Sequence, residues 1–227
     1  TELSDFLSNF IDASEQMKIT IRDYLVFVLV TGKRKGEAES LSWDNVNFKN
    51  GTITLPITKN KKVDIVPMTD FLFLLLKSRS NREDAHKTWV FPSHYKKGEH
   101  AEKHISSPYK SLAKIKGFNI TVHDFRRTFA TATKELGIPK EDLSILLNHS
   151  SQDVTDQYVF ASLDHKEKSL KAVTDYYNSY GDDALSWMSV YWYGGNSNLY
   201  VPQDKDTKDS LDREKQRAYL LAESGDE

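Results

Sequence analysis

The sequence predicts an α+β fold, a mostly helical domain interrupted by a small three-stranded antiparallel sheet. Apolar residues recur at helical spacing through most of residues 3–178, whereas between 46 and 66 the pattern changes to short β-prone runs bounded by turn signals. A chain of 227 residues that is 38% hydrophobic and 11% aromatic is long and apolar enough to bury a sizeable core.

Leu3, Phe6, Leu7, Phe10 and Ile11 lie at helical spacing, which predicts an amphipathic helix over 3–15. A second helix is expected from Thr20, as N-cap, to Thr31, with Gly32 as its stop. Its apolar run 24–30 reads as buried. A short helix over 35–41 should end before Trp43. Runs 46–48, 52–56 and 63–66 read as strands, with Asn50-Gly51 as one turn and Lys59-Asn60-Lys61-Lys62 as the other. Thr69 or Asp70 caps a Leu/Phe-rich helix to Ser78. Residues 79–104 read as irregular, with an extended piece at 89–91, and a helix follows over 105–116. A helix from Val122 to Leu136 is closed by Gly137-Ile138-Pro139, which also opens the next, reaching Leu147. Ser150 or Ser151 is expected to cap a helix carrying Val154, Tyr158 and Val159, and 164–178 reads as one more.

The composition changes after Tyr180, which divides the chain into a domain over 1–180 and a tail over 181–227. The aromatic stretch 187–193 is too apolar to lie in water and is expected to pack in cis or in trans. The charged segment 202–227 reads as an unpacked end.

With no cysteine, the chain has no disulfide framework, thiolate metal site or Cys nucleophile, a composition that fits an intracellular protein. No apolar run reaches the roughly 18 residues of a membrane span, and no signal-peptide pattern is present. The net charge of −2 conceals an uneven distribution. Residues 49–116 carry 14 Lys or Arg against 6 Asp or Glu, while the tail 181–227 carries 5 against 10. A local basic face suits phosphate-backbone binding as well as it suits an ordinary solvated surface.

Four stretches carry groups able to do phosphate chemistry: Thr31-Gly32-Lys33-Arg34-Lys35-Gly36-Glu37, Thr58-Lys59-Asn60, His123-Asp124-Phe125-Arg126, and Leu146-Leu147-Asn148-His149 followed by Tyr158. Arg34, just past a helix-ending glycine, can present a planar fork to two phosphate oxygens, which a lysine cannot match. His123 and Arg126 are three apart on one helix and share a side of it. Lys59 lies in a turn from which an ammonium can reach a cleft as a proton donor, although Lys61 and Lys62 compete for that role. His149 follows a helix end, where it can serve a cleft or simply the helix dipole. Tyr158 needs cationic neighbours or a base to attack phosphorus, since a phenol ordinarily titrates near about 10. Taken one at a time, each of these residues has an ordinary structural explanation.

Their order is more specific. Thr-Gly-x-Arg-x-x-Glu, a turn lysine, His-x-x-Arg, Leu-Leu-x-His and a tyrosine nine residues later resemble the catalytic signature of the tyrosine recombinases, the phage-integrase family. The segment Leu41-Ser42-Trp43-Asp44 also looks like the family's continuation after its first arginine. The resemblance covers about residues 18–160 and implies a tyrosine-recombinase-like fold.

Carried over to this chain, the resemblance implies that Tyr158 attacks the scissile phosphate, forming a 3′-phosphotyrosyl bond and releasing a 5′-hydroxyl. Arg34 and Arg126 would clamp the non-bridging oxygens, Lys59 would protonate the leaving oxygen, His123 would assist proton movement at Tyr158, and His149 would donate to a non-bridging oxygen. Glu37 would orient the site rather than react. No metal or other cofactor is implied, because cationic side chains take that role. The implied partner is double-stranded DNA, with self-association on it (a tetrameric synapse in the full-length protein) that could involve the tail. The implied setting is the cytoplasm of a bacterial or phage-infected cell, in the integration or excision of a mobile element. Asn148 stands where the family usually has glycine before its histidine. Fewer than 20 residues precede the matching region, so the resemblance implies a catalytic domain without the family's N-terminal DNA clamp. A type IB topoisomerase, or a silent DNA-binding module that kept the fold, are the alternatives.

Overall fold

The computed structural model describes residues 2–14, 16–55, 63–83, 85–93, 104–105, 108–148 and 158–180. Eight helices are assigned among the described residues: α1 (Glu2–Ser14), α2 (Ile19–Thr31), α3 (Lys35–Glu39), α4 (Asp70–Ser80), α5 (Tyr109–Leu112), α6 (Val122–Glu135), α7 (Lys140–Leu146) and α8 (Tyr158–Asn178). Between α3 and α4 lies an antiparallel sheet in the order β1 (Val46–Asn47), β2 (Thr52–Leu55), β3 (Asp64–Pro67). The described architecture is thus the mostly helical one with a three-stranded antiparallel sheet that the periodicity predicts. The expected tail 181–227 lies outside the described residues.

Helix α2 is the centre of the core. Every residue from Asp23 to Thr31 is buried, as expected of a helix that is apolar all round. It packs on α6, α8 and α3. Phe27 and Tyr24 meet the ring of Phe91, while Phe6 and Phe10 of α1 meet Phe125 of α6 edge to face. The buried carboxylate of Asp23 accepts from Arg79 of α4 at 2.6 Å, and the same guanidinium donates through Nε to the carbonyl of Val90. Arg79 thereby fixes the extended piece at 89–91, which also pairs with the chain beyond α3 through Val90 N to Leu41 O at 3.0 Å.

The sheet register places Ile53 opposite both Val46 and Val66, and Leu55 opposite Asp64. Ile53, Leu55 and Val66 are buried, so one face of the small sheet joins the core. The second expected turn, 59–62, lies outside the described residues.

Several local expectations change. Helix α2 starts at Ile19, one residue before the expected cap, because the carbonyl of Lys18 already accepts from Ile21 and Arg22. Thr20 is buried inside the first turn. The expected helix over 105–116 contracts to Tyr109–Leu112. Ile105 instead donates its N–H to Phe91 O at 2.7 Å, and the carbonyl of Pro108 opens the short helix by accepting from Ser111 and Leu112. Tyr158 and Val159, expected in a helix separate from 164–178, belong to the same helix, α8, while the expected cap at Ser150 or Ser151 and Val154 lie outside the described residues. No glycine or proline lies between 158 and 178, so nothing in that stretch ends a helix.

Candidate active site

Helix α2 ends at Gly32, which takes φ 65° and ψ 17°, with its N–H on Val28 O at 2.9 Å. Only glycine fits there, since a Cβ would come within 2.4 Å of the Phe129 ring, and the left-handed backbone is itself costly for other residues. This close approach seats the turn 32–34 directly on α6, one helical turn from Arg126.

Arg126 is buried, 6% exposed. Its guanidinium donates to Gly32 O at 2.6 Å and to Leu147 O at 2.9 Å, joining the end of α2 to the end of α7. Arg34, at the N-cap of α3, is half-buried. The carboxylate of Glu37, itself buried, accepts from the Arg34 backbone N–H at 2.8 Å and from its guanidinium at 2.9 Å. One acid thus closes the first turn of α3 and aims the arginine. Burial first, and then the charge of Arg34, pull Arg126 down to about 10, against the partial compensation of Glu37 and Asp64. It stays cationic at neutral pH. Two guanidinium groups are therefore held close enough to repel, an arrangement suited to an anion.

A second set of cations completes the end of α7. Lys33, 2% exposed, donates to Leu146 O at 2.7 Å and to Asp64 Oδ2 at 2.6 Å. Together Lys33 and Arg126 satisfy two successive carbonyls at a helix end that otherwise lack partners in the helix. Lys166 of α8 donates to Asp64 Oδ1 at 3.1 Å and to Ile65 O at 3.0 Å. Burial pushes the Asp64 carboxyl up, but the two ammonium groups and their hydrogen bonds outweigh it, and it sits below the usual carboxylate range. After Leu147 the chain turns at Asn148, which adopts φ 49°. This is the left-handed conformation that asparagine tolerates in place of glycine, and it leads directly to His149.

Of the seven residues singled out in the sequence, Arg34, Glu37 and Arg126 are brought together around the turn after α2. His123 lies in the first turn of α6, exposed, on the helix that holds Arg126 inward. Tyr158 opens α8, though its side chain is outside the description, and Lys59 and His149 lie outside the described residues. Sequence reasoning passed over Lys33, Asp64 and Lys166. Lys33 is hidden in a basic run that reads as a solvated loop. Asp64 did leave a signal, as a lone acid in the apolar strand segment Val63-Asp64-Ile65-Val66, where aspartate is disfavoured unless partnered. Among the described residues no helix is long and apolar enough to cross a membrane, and no cluster of His, Asp or Glu is placed to hold a metal ion.

The model of the phage integrase family matches residues 3–165. A probable integrase/recombinase of Acholeplasma phage L2 is 28% identical over 171 residues, covering 74% of this chain and 57% of the phage protein. Tyrosine recombinase XerA of Pyrococcus furiosus is 27% identical over 158 residues, covering 68% of this chain and 55% of its own length. The chain thus spans little more than half the length of these relatives. The fold is also similar to that of a crystal structure of XerA recombinase, at a TM-score of 0.50 and 21% identity, over 71% of this chain and 61% of that one. The family match spans the turn after α2, the buried arginine of α6, the end of α7 and the start of α8, and the chain belongs to the phage integrase family of tyrosine recombinases.

Proposed function

We propose that this chain is the catalytic portion of a site-specific recombinase that cuts and rejoins DNA strands through Tyr158. The observation that carries this reading is the pair Arg34 and Arg126. The two cations are held near each other by Glu37, Gly32 O and Leu147 O, and burial already opposes the charge of Arg126. A scissile phosphate entering this place relieves the repulsion, and its charge grows further in the pentacoordinate transition state, where preorganised donors act most strongly.

In the proposed reaction the Tyr158 oxygen attacks phosphorus as its proton departs with the help of His123. The bond to the 5′-oxygen breaks, and that oxygen takes a proton from Lys59. His149 donates to a non-bridging oxygen. Glu37 holds Arg34 in place and does not react. The 3′-phosphotyrosyl bond keeps the energy of the broken one, so a 5′-hydroxyl can reverse the step without ATP. The substrate in this reading is double-stranded DNA, on which several copies assemble, with the tail 181–227 as a docking segment. The biological setting is the cytoplasmic integration or excision of a phage or other mobile element.

The test uses a pool of nicked suicide duplexes of randomised sequence, from which protein-linked DNA is recovered and sequenced. The wild type should trap DNA and Tyr158→Phe should not. Equal recovery from both would defeat the reading. Relaxation of supercoiled DNA with no sequence preference among the trapped duplexes would instead support a topoisomerase.

A further inference from the structure

Both carboxylate oxygens of Asp64 are engaged by ammonium groups that come from two separate segments. Lys33, between Gly32 and Arg34, takes Oδ2, and Lys166, from α8, takes Oδ1. Lys33 also holds Leu146 O, and Lys166 also holds Ile65 O. Four segments therefore converge on one buried acid: the turn after α2, strand β3, the end of α7 and helix α8.

The covalent neighbours of these residues are the site itself. Gly32 and Leu147, whose carbonyls hold Arg126, adjoin Lys33 and Leu146 in sequence. His149 lies three residues past Leu146, Lys59 lies five residues before Asp64 in sequence, and Lys166 lies eight residues after Tyr158. Eight residues are about 12 Å of helix, so Lys166 grips α8 two turns from its reactive end. Such a cluster is not explained by stability alone, since a buried ion pair often stabilises no more than apolar residues of the same size. It does impose one geometry, because a carboxylate between two ammonium groups and two carbonyls is satisfied only when all four segments are in place.

Resting on the recombinase reading, we propose that Lys33, Asp64 and Lys166 are positioning residues for strand cleavage, with Asp64 as the hub that keeps the segments of Lys59, His149 and Tyr158 in register with the arginine pair. None of the three need touch DNA. They set where the reacting groups stand, and a displacement of about 1 Å can cost roughly a hundredfold in rate.

The test compares wild type with Asp64→Asn, the paired apolar variant Lys33→Met/Asp64→Leu, Lys166→Met and Lys166→Arg. A duplex selected by the wild type is cleaved in single turnover, and DNA affinity is measured alongside. The paired variant removes the buried charges together and should stay folded, yet it frees Leu146 O and unanchors Lys166. Both it and Asp64→Asn should form the covalent adduct about ten- to a hundredfold more slowly, with affinity within about threefold of wild type. Lys166→Met should be slow, and Lys166→Arg should recover most of the loss. A paired variant that cleaves at the wild-type rate would overturn the proposal. So would rate and affinity falling in equal proportion.

Amide hydrogen exchange supplies an arm independent of catalysis. In Asp64→Asn and in the paired variant, exchange should quicken in the first turns of α8 and over 147–149 while α2 stays protected. Unchanged exchange in α8 would also overturn the proposal. This arm judges the hub even if the wild type forms no Tyr158-dependent adduct, a result that would sink the recombinase reading instead.

Discussion

The arginine side of the site and the tyrosine-bearing helix are built differently. Arg126 lies buried between two carbonyls, and Gly32 is seated against Phe129 without room for a methyl group. Among the described side chains, helix α8 is held by Lys166 to Asp64, His165 to Asp142 at 2.8 Å, Tyr176 to Glu135, and the burial of Leu170, Val173 and Tyr177. The His165 pair is largely exposed. The arginine is thus fixed by burial at the reacting group itself, whereas the described anchors of α8, namely the largely buried Lys166–Asp64 pair, the apolar contacts of Leu170, Val173 and Tyr177 and the outer polar pairs, lie further along the helix.

Substitutions on the arginine side should break the comparison most strongly. Arg126→Ala leaves the buried carbonyls of Gly32 and Leu147 without their guanidinium, at about 1–3 kcal/mol each. Urea unfolding should show a loss of roughly 3 kcal/mol or more, and covalent trapping of DNA should vanish. Retained trapping at wild-type rate would show that Arg126 serves the fold alone. Gly32→Ala adds a left-handed backbone cost of about 1–2 kcal/mol and a clash with Phe129, for a total near 2–4 kcal/mol by thermal or urea unfolding. A loss below about 0.5 kcal/mol would mean that the turn is not held against α6.

The hub between the two sides sharpens the comparison through pH. The carboxyl of Asp64 is depressed in the folded state. Its contribution to stability is therefore present above the unfolded carboxyl range, near about pH 4, and is lost as pH falls through the lower folded value. Wild type should lose more stability than Asp64→Asn between pH 5 and about pH 2, so the two urea midpoints should converge on acidification. Parallel midpoints would remove the depressed carboxyl from the account.

The smallest effects are expected on α8 and at the end of α7. Breaking the exposed pair with His165→Ala should cost about 0–1 kcal/mol and leave the rest of the helix protected in hydrogen exchange. Asn148→Gly relieves the positive φ but gives up the asparagine's own contact and frees the unfolded chain, so the net change in unfolding should stay within about 1 kcal/mol. A larger destabilisation in unfolding would mean that the asparagine side chain itself makes a needed bond.

Much of the fold could be read from local pattern. The apolar run over 24–30 marked the central helix, and Asn50-Gly51 marked the first hairpin, because both signals act within a few residues. The larger error came where a distant contact decides: Ile105 sits in an extended pairing with Phe91 rather than in a helix. The one-residue shift that puts Thr20 inside a first turn is local, set by the carbonyl of Lys18. The motif residues were legible by order and type, but the acid that links them was not. A lysine between glycine and arginine looks solvated until Asp64, 31 positions later, is placed 2.6 Å from it.

By itself, the sequence determined the family, the helical class with its small sheet, and the identity of the groups proposed for phosphate chemistry. Periodicity, turn residues and motif order are local, so one chain displays them without a fold. Only the tertiary structure decided which cations are buried, which carbonyls hold Arg126, and that Lys33 and Lys166 meet at Asp64. Those facts depend on desolvation and on segments about 20 to 100 residues apart coming within hydrogen-bond reach, and neither is written in any short stretch of chain.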